Sequence, residues 1–199
     1  MTRYAAVCAD ILANMKANIF NLGVIGAGLA GMSCARHLQS DLCKVTMFDG
    51  KRLSPGGVEL TIRQSMTICD IWHEEGWRLA SLESGTLGEV FDALILALPA
   101  AQASALLAPL LPATAMQVAA MEPSEDQCIW LPAVQVGVCG GWLRGVQEGD
   151  AWLSGRALAA RVLSQRAADQ NSVDAVRPKV RGAPDTRYPV PCEPPAEAQ

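Results

Sequence analysis

The sequence predicts an α/β fold in which helices cover a parallel sheet, and three observations support this prediction. Residues 20–25 form an apolar strand that leads through a glycine-rich turn into a helix expected from Leu29 to about residue 40. A second strand is expected at residues 43–48, which completes one βαβ unit. The run at residues 91–98 has the nearly continuous hydrophobicity of a central parallel strand.

The turn Gly26-Ala27-Gly28-Leu29-Ala30-Gly31 has the glycine spacing of a dinucleotide-binding site. Gly26 permits the tight turn, Gly28 lets the backbone approach a pyrophosphate, and Gly31 lets the helix pack closely on the strand. The N–H groups and positive dipole at the helix start then face the phosphates. Asp49 ends the second strand 18 residues beyond Gly31, where a ribose-binding carboxylate is expected. The prediction is therefore a Rossmann-like FAD/NAD(P)-binding fold of three layers.

The remainder of the chain is predicted to add a small β-hairpin or meander to this sheet. Short β-like runs lie near residues 58–62, 66–72 and 77–82, and the last two are expected to form a hairpin. Pro99 ends the strand at 91–98, and a helix is expected from there to about Leu111.

Residues 112–133 carry three prolines with little periodicity, so we expect connecting structure there. A strand is expected at residues 134–139, and Gly140 and Gly141 end it. Residues 151–166 have the composition of a helix.

Length and composition predict one domain. A chain of 199 residues suffices for a single well-buried domain, expected at residues 15–166. Residues 1–14 are interpreted as an N-terminal extension, because Met15 leads directly into the first strand. Residues 167–199 are rich in proline and poor in aromatic side chains, so a disordered tail is predicted.

Charge and cysteine usage exclude several classes of partner. The net charge of -4 and the pI near 5.2 offer no basic surface for nucleic acid or an anionic membrane. No apolar run is long enough for a membrane span. The seven cysteines include no C-x-x-C pair and are interpreted as reduced thiols of a cytoplasmic protein. His37 and His73 lack further ligands at metal-binding spacing, so no metal site is expected.

A family resemblance is carried by four blocks of sequence. In chain order they are residues 24–35, residues 48–57, residues 91–103, and the pair 137–142 with 148–155. They resemble the renalase-like branch of the amine oxidase-type, FAD-dependent flavoproteins. The resemblance implies FAD pyrophosphate at the glycine turn and the adenosine ribose at Asp49. Cationic side chains and exposed amides after Asp49 would neutralise the diphosphate, and the last block would meet the other end of the cofactor. The implied cofactor-binding residues are Gly26, Ala27, Gly28, Leu29, Ala30, Gly31, Asp49, Lys51, Arg52, Gly56, Gly57, Gly140, Gly141 and Ala151.

The chain also departs from this family. Gly141 stands where relatives carry Asp, Val58 where they carry Arg, and Asp150 is an extra residue. Relatives are far longer, and the segments missing after Gly57 and near Cys128 correspond to most of their substrate-binding domain. The chain looks like a shortened relative.

Three classes of function remain open. The first is an FAD-dependent oxidoreductase in which flavin accepts a hydride from a reduced nicotinamide, NAD(P)H, or from an amine-like substrate. The flavin would carry the chemistry, so no catalytic side chain is named. The second is a non-catalytic module that holds FAD or NAD(P). The third is a remnant with a protein-interaction role. Association into an oligomer is expected if the shortened edges expose apolar surface.

Several candidate residues have structural alternatives. The glycine turn could be a tight turn without ligand, Asp49 could cap the next turn, and Lys51 with Arg52 could form a solvated loop. Trp130, Trp142 and Trp152 are candidates for stacking on a cofactor or for core packing.

Overall fold

A computed structural model describes residues 19–40, 43–51, 60–121, 125–145, 147 and 149–176, with side chains described as far as residue 169. The predicted extension at 1–14, the residues Arg52, Gly56 and Gly57, and residues 177–199 lie outside the described part. The elements, in chain order, are β1 Phe20–Ile25, α1 Leu29–Leu38, β2 Cys43–Asp49, β3 Thr61–Gln64, β4 Ile68–His73, β5 Trp77–Ser81, β6 Gly85–Thr86, β7 Ala93–Leu96, α2 Ala100–Leu107, α3 Pro112–Ala119, β8 Ile129–Leu131, β9 Val136–Val138, a 3₁₀ turn Gly141–Leu143 and α4 Asp150–Val176.

The main sheet has the strand order β3-β2-β1-β7-β9-β8. Its first five strands are parallel, and β8 pairs with β9 in the antiparallel direction. A separate antiparallel sheet consists of β4, β5 and β6, which confirms the predicted hairpin or meander beside a parallel sheet. The architecture is therefore α/β with three layers.

Both faces of the main sheet are covered, which explains the continuous apolar runs of β1 and β7. On one face, Val24 and Ile95 pack in a cluster with buried residues of α1 and α4. On the other face, Phe48 and Leu96 pack against the antiparallel sheet and the α2–α3 pair. Alternate residues of each strand thus belong to different halves of the core.

Helices α1 and α4 cross at close range on the first face. A Cβ atom added to Gly155 of α4 would lie 2.1 Å from the carbonyl oxygen of Ala30 in α1. The side chain of Ser33 in α1 also donates a hydrogen bond to the carbonyl oxygen of Trp152, at 2.7 Å. The small residues at this crossing let α1 and α4 pack closely side by side on this face of the sheet.

Two predictions of local structure were wrong. Residues 112–133 are not merely connecting structure, because they contain α3 and β8. Pro112 is the first residue of α3, where its missing N–H group costs no intrahelical hydrogen bond. Helix α4 also continues past Arg166 to Val176, so the first part of the segment predicted as a tail is helical. Within the described residues, no helix combines the length and the hydrophobicity needed to cross a membrane.

Candidate dinucleotide-binding site

The candidate site lies at the carboxyl edge of the parallel sheet. Strands β1, β2, β7 and β9 all end at this edge, because Ile25 is paired with both Phe48 and Leu96, and Leu96 with Val138. The chain passes from β1 to β2 on one side, while β7 lies on the other side of β1. The strand order therefore reverses at β1, and open α/β sheets bind ligands at such a point.

The three glycines of the first turn have different surroundings. Gly26 has a φ angle of +101°, and an added Cβ atom would lie 2.3 Å from the carbonyl oxygen of Ala97. An added Cβ atom on Gly31 would lie 2.0 Å from the carbonyl oxygen of Gly26. An added Cβ atom on Gly28 would meet no atom within 4 Å. Gly26 and Gly31 are therefore required by packing, whereas Gly28 leaves space that the protein does not fill.

The first turn of α1, next to that space, has backbone N–H groups without intrahelical partners. Gly28 caps the helix with an extended backbone and supplies no side-chain hydrogen bond. The first intrahelical hydrogen bond runs from the N–H of Met32 to the carbonyl oxygen of Gly28, at 2.9 Å. The N–H groups of residues 29–31 precede this bond, and no acidic residue compensates the helix dipole in this turn. This end of α1 is suited to an anion.

Asp49 connects the end of β2 to the glycine turn. Its Oδ2 atom accepts a hydrogen bond from the N–H of Ala27 at 2.8 Å, and its Oδ1 atom accepts one from the N–H of Lys51 at 2.7 Å. The bond to Lys51 is the turn cap that the sequence left open as an alternative, whereas the bond to Ala27 was not predicted. Each carboxylate oxygen keeps a further lone pair, so Asp49 can still accept a hydrogen bond from a ribose hydroxyl.

A cavity of about 760 Å³ opens beside this turn. Its volume lies within the range of roughly 300–1,000 Å³ that is typical of small-molecule sites. Its walls are mostly apolar, and its polar edge contains Asp49 and the backbone of Gly26–Gly28. It is lined by Ile25 and Gly26–Gly28, by Phe48–Lys51, by Met66–Cys69, by Ala97–Pro99, and by Gln102, Ala105 and Leu106.

The cavity brings together only some of the predicted residues. Gly26, Ala27, Gly28, Asp49 and Lys51 line it. The side chain of Leu29 is 63% exposed outside the cavity, and Ala30 is buried against Gly155.

The C-terminal block lies apart from the cavity. Gly140, Gly141 and Ala151 are at the end of β9 and the start of α4, and none of them lines the cavity wall. The N–H of Gly140 donates to the Oγ atom of Ser154 at 3.0 Å. The hydroxyl of Ser154 in turn donates to the carbonyl oxygen of Gln127 at 2.6 Å. These groups hold β9 and α4 together.

Sequence reasoning missed the outer walls of the cavity. Residues 66–69 come from the segment that enters β4, and Gln102, Ala105 and Leu106 come from α2. No motif marks these positions. Their only signal is the apolar character of Met66, Ile68 and Leu106, which ordinary core packing would also produce.

The described cysteines divide into buried thiols and one exposed thiol. A hydrogen bond with Cys139 and burial raise the pKa of Cys34 well above its ordinary value. Burial also raises the pKa of Cys128, to about 11. Cys69 is exposed and lies in the cavity wall. In the described part of the chain, no group of three His, Cys, Asp or Glu side chains could hold a metal ion.

Residues 24–94 match the family model of the NAD(P)-binding Rossmann-like domain. The fold of the described residues is Rossmann-like. The matched region contains the glycine turn, Asp49 and the first half of β7, and it ends before the α2 wall of the cavity. The search of curated proteins finds no match.

Solved structures resemble the chain at low sequence identity. THI4 of Thermovibrio ammonificans is 11% identical with a TM-score of 0.48, and the similarity covers 84% of this chain and 96% of that one. The NAD-dependent persulfide reductase of A. fulgidus is 15% identical with a TM-score of 0.36, covering 76% of this chain and 32% of that one. The HOCl-induced flavoprotein disulfide reductase RclA of Escherichia coli is 17% identical with a TM-score of 0.30, covering 72% and 36%. This chain therefore spans about a third of the length of the last two proteins.

Proposed function

We propose that this chain binds the ADP half of FAD or NAD(P) and serves as the dinucleotide-binding part of an oxidoreductase. The observation that carries the proposal is the open turn at Gly28. At this position the helix start lacks a side-chain cap, and the space beside the backbone is empty for at least 4 Å. A pyrophosphate would supply the negative charge and hydrogen-bond acceptors that the turn lacks.

The groups around the turn fit the remaining parts of ADP. Asp49 stands at the polar edge of the cavity with lone pairs for a ribose hydroxyl, and Lys51, which also lines the cavity, carries a positive charge that would offset phosphate charge. The apolar wall formed by Ile68 and Leu106 would cover the faces of the adenine ring. These residues support assigning the phosphates to the glycine turn, the ribose to Asp49 and the base to the apolar wall.

In its finer form, the proposal is an FAD-dependent oxidoreductase of the renalase-like, amine oxidase type. The flavin would supply the redox chemistry by accepting a hydride from NAD(P)H or an amine-like substrate. The residues of this chain would bind and orient the cofactor and exclude water from the adenine. The resemblance of four sequence blocks to this family supports the finer form, and the family match over residues 24–94 supports a dinucleotide.

A second candidate function is a dinucleotide-binding module without its own redox reaction. The C-terminal block, which the sequence predicts to contact the other end of the cofactor, favours this function because its polar groups are already engaged or acidic. The N–H of Gly140 is already bonded to Ser154, and an acidic residue, Asp150, occupies the first turn of α4. Neither arrangement offers a donor to the far end of a dinucleotide.

Titration calorimetry and the visible spectrum test these proposals. The full chain is purified, freed of nucleotide, and titrated with ADP-ribose, NAD⁺ and FAD. We expect all three ligands to bind, and a Gly88→Ala variant, altered at an exposed glycine with no atom within 4 Å of the added Cβ, to bind equally well. Absence of binding by all three at millimolar concentration would contradict the proposed function. A flavin spectrum in protein isolated without added nucleotide would favour the oxidoreductase over the module.

A further inference from the structure

We propose that Trp142 closes the dinucleotide groove beyond the pyrophosphate, so that this chain recognises dinucleotides through their ADP half alone. The inference rests on the proposed function, because it concerns the same site. It identifies Trp142 as the residue that decides how much of the ligand is bound.

The geometry of the sheet edge fixes the direction in which a dinucleotide would extend. Asp49 follows β2, so the adenosine lies on the β2 side of the turn after β1. The second nucleoside would therefore extend to the other side, across the ends of β7 and β9. These ends lie next to each other, since the N–H of Cys139 donates to the carbonyl oxygen of Leu96 at 3.0 Å.

The Trp142 indole occupies the position where the ends of β7 and β9 meet. A Cβ atom added to Gly140 would lie 2.4 Å from Nε1 and 2.8 Å from Cδ1 of this ring, so the ring lies directly on the backbone after β9. The same Nε1–H donates a hydrogen bond to the carbonyl oxygen of Leu98, after β7, at 3.3 Å. The indole thus bridges the two strand ends.

The polar groups behind Trp142 are also engaged. The carboxylate of Asp150 accepts hydrogen bonds from the N–H of Gln147 at 2.8 Å and from Nε of Arg144 at 3.3 Å. The helix start of α4 therefore has its own carboxylate, which neutralises the dipole and would repel a phosphate. Arg144 is paired with the same carboxylate through its Nε atom.

The cavity wall agrees with this closure. On the β7 side the wall consists of Ala97–Pro99 and of residues of α2, and among the described residues no member of the segment from Gly140 to Ala151 contributes to it. The described part of the chain thus offers contacts to the adenosine and the pyrophosphate but none to a flavin or nicotinamide ring.

A comparison of ligands tests the inference on the unaltered protein. By titration calorimetry we expect ADP-ribose, NAD⁺ and FAD to bind within about threefold of one another, because the second nucleoside adds no contact. Binding of FAD at least about tenfold tighter than ADP-ribose would overturn the inference and leave the proposed function intact. Absence of binding by every ligand would overturn the proposed function and the inference with it.

A second measurement follows the flavin ring itself. If only the ADP half of FAD is held, iodide should quench the flavin fluorescence of the bound cofactor as effectively as that of an extended flavin in solution. Protection of the bound flavin from iodide would overturn the inference.

The Trp142→Ala variant provides the third measurement. Removal of the indole opens the space between Gly140 and Leu98, so we expect the affinity ratio of FAD to ADP-ribose to rise while the ADP-ribose affinity stays constant. Trp130→Ala, which alters a tryptophan on β8 outside the cavity wall, is the matched control and should leave the ratio unchanged. Circular dichroism verifies the fold of both variants, and an unchanged ratio in folded Trp142→Ala would contradict the role of Trp142.

Discussion

The Oδ2 atom of Asp49 accepts the backbone N–H of Ala27 at 2.8 Å, across the ends of two neighbouring parallel strands. This hydrogen bond holds the centre of the glycine turn against the end of β2. The other oxygen of the carboxylate, Oδ1, accepts a hydrogen bond from the N–H of Lys51 at 2.7 Å, so one carboxylate fixes two turns. Asp49 therefore shapes the candidate site even before any ligand enters.

Substitution of Asp49 by Ala should weaken ADP-ribose binding by roughly tenfold to a hundredfold, since hydrogen bonds to a charged group contribute about 1.5–3 kcal/mol. The variant loses both the ribose acceptor and the bond that fixes Ala27. Asp49→Asn retains one acceptor oxygen and is the matched control, with an intermediate affinity expected by titration calorimetry. Equal affinities for the wild type and Asp49→Ala would rule out a ribose contact.

The same carboxylate should discriminate between nicotinamide cofactors. A 2′-phosphate placed at Asp49 brings two negative charges together, so NADP⁺ is expected to bind more weakly than NAD⁺. In the Asp49→Asn variant this difference should shrink. A wild-type preference for NADP⁺ would show that the ribose does not lie at Asp49.

Two glycines of one turn should respond to Ala substitution in opposite ways. Gly28→Ala should preserve stability, because Gly28 has a φ angle of -70° and its added Cβ meets no atom within 4 Å. The same Cβ atom would fill the space assigned to the pyrophosphate, so nucleotide binding should be lost. Thermal unfolding and titration calorimetry measure the two effects separately.

Gly31→Ala should instead destabilise the fold. Its Cβ atom would lie 2.0 Å from the backbone oxygen of Gly26, and backbone atoms cannot move aside at low cost. Overpacking of this kind typically costs about 1–3 kcal/mol. An unfolding temperature of Gly31→Ala equal to that of the wild type would contradict the packing argument.

Nucleotide binding should protect Cys69 from alkylation. Its thiol is exposed and lines the cavity, so iodoacetamide should modify it rapidly in the free protein. A bound adenosine would block access, and peptide mass spectrometry with and without ADP-ribose measures the change at this position. Buried Cys34 serves as the internal control that stays unmodified in both states. Equal modification rates of Cys69 with saturating ligand would place the nucleotide elsewhere.

Alkaline pH should destabilise the protein through its buried thiols. Burial raises the pKa of Cys128 from the ordinary value of 9.0 to about 11. Between pH 9 and pH 11 the Cys128 thiol therefore loses its proton in the unfolded chain but keeps it in the folded chain. The free energy of unfolding falls as the pH rises through this range. The fall from this one group is at most about 1.4 kcal/mol per pH unit.

Urea titrations at pH 8 and pH 10 measure this effect. Cys128→Ser removes a titrating thiol, so its loss of stability between the two pH values should be smaller than that of the wild type. The exposed-site variant Cys69→Ser is the control and should show the wild-type loss. An unchanged pH dependence in Cys128→Ser would show that Cys128 does not titrate differently in the folded and unfolded states.

The sequence-based predictions were correct where the signal for an element lay within one short segment of the chain. The βαβ unit, the strand at β7 and the hairpin of β4 and β5 were predicted because apolar periodicity and glycine positions are encoded within short segments. Helix α3 was missed because Pro112 and Pro123 suggested connecting structure, although Pro112 stands at the first helical position, where proline is tolerated. The continuation of α4 beyond Arg166 was missed because composition alone does not mark a helix end.

The amino-acid sequence by itself determined the α/β fold and the position of the glycine turn, because a turn that needs a positive φ at Gly26 and a close approach at Gly31 is specified by adjacent residues. Only the tertiary structure decided what surrounds that turn. The bond from Ala27 to Asp49, the cavity wall at Ile68 and Leu106, and the Trp142 indole across Gly140 all join residues from separate elements. Such contacts depend on which strands are neighbours in the sheet, and short segments of sequence do not specify that arrangement.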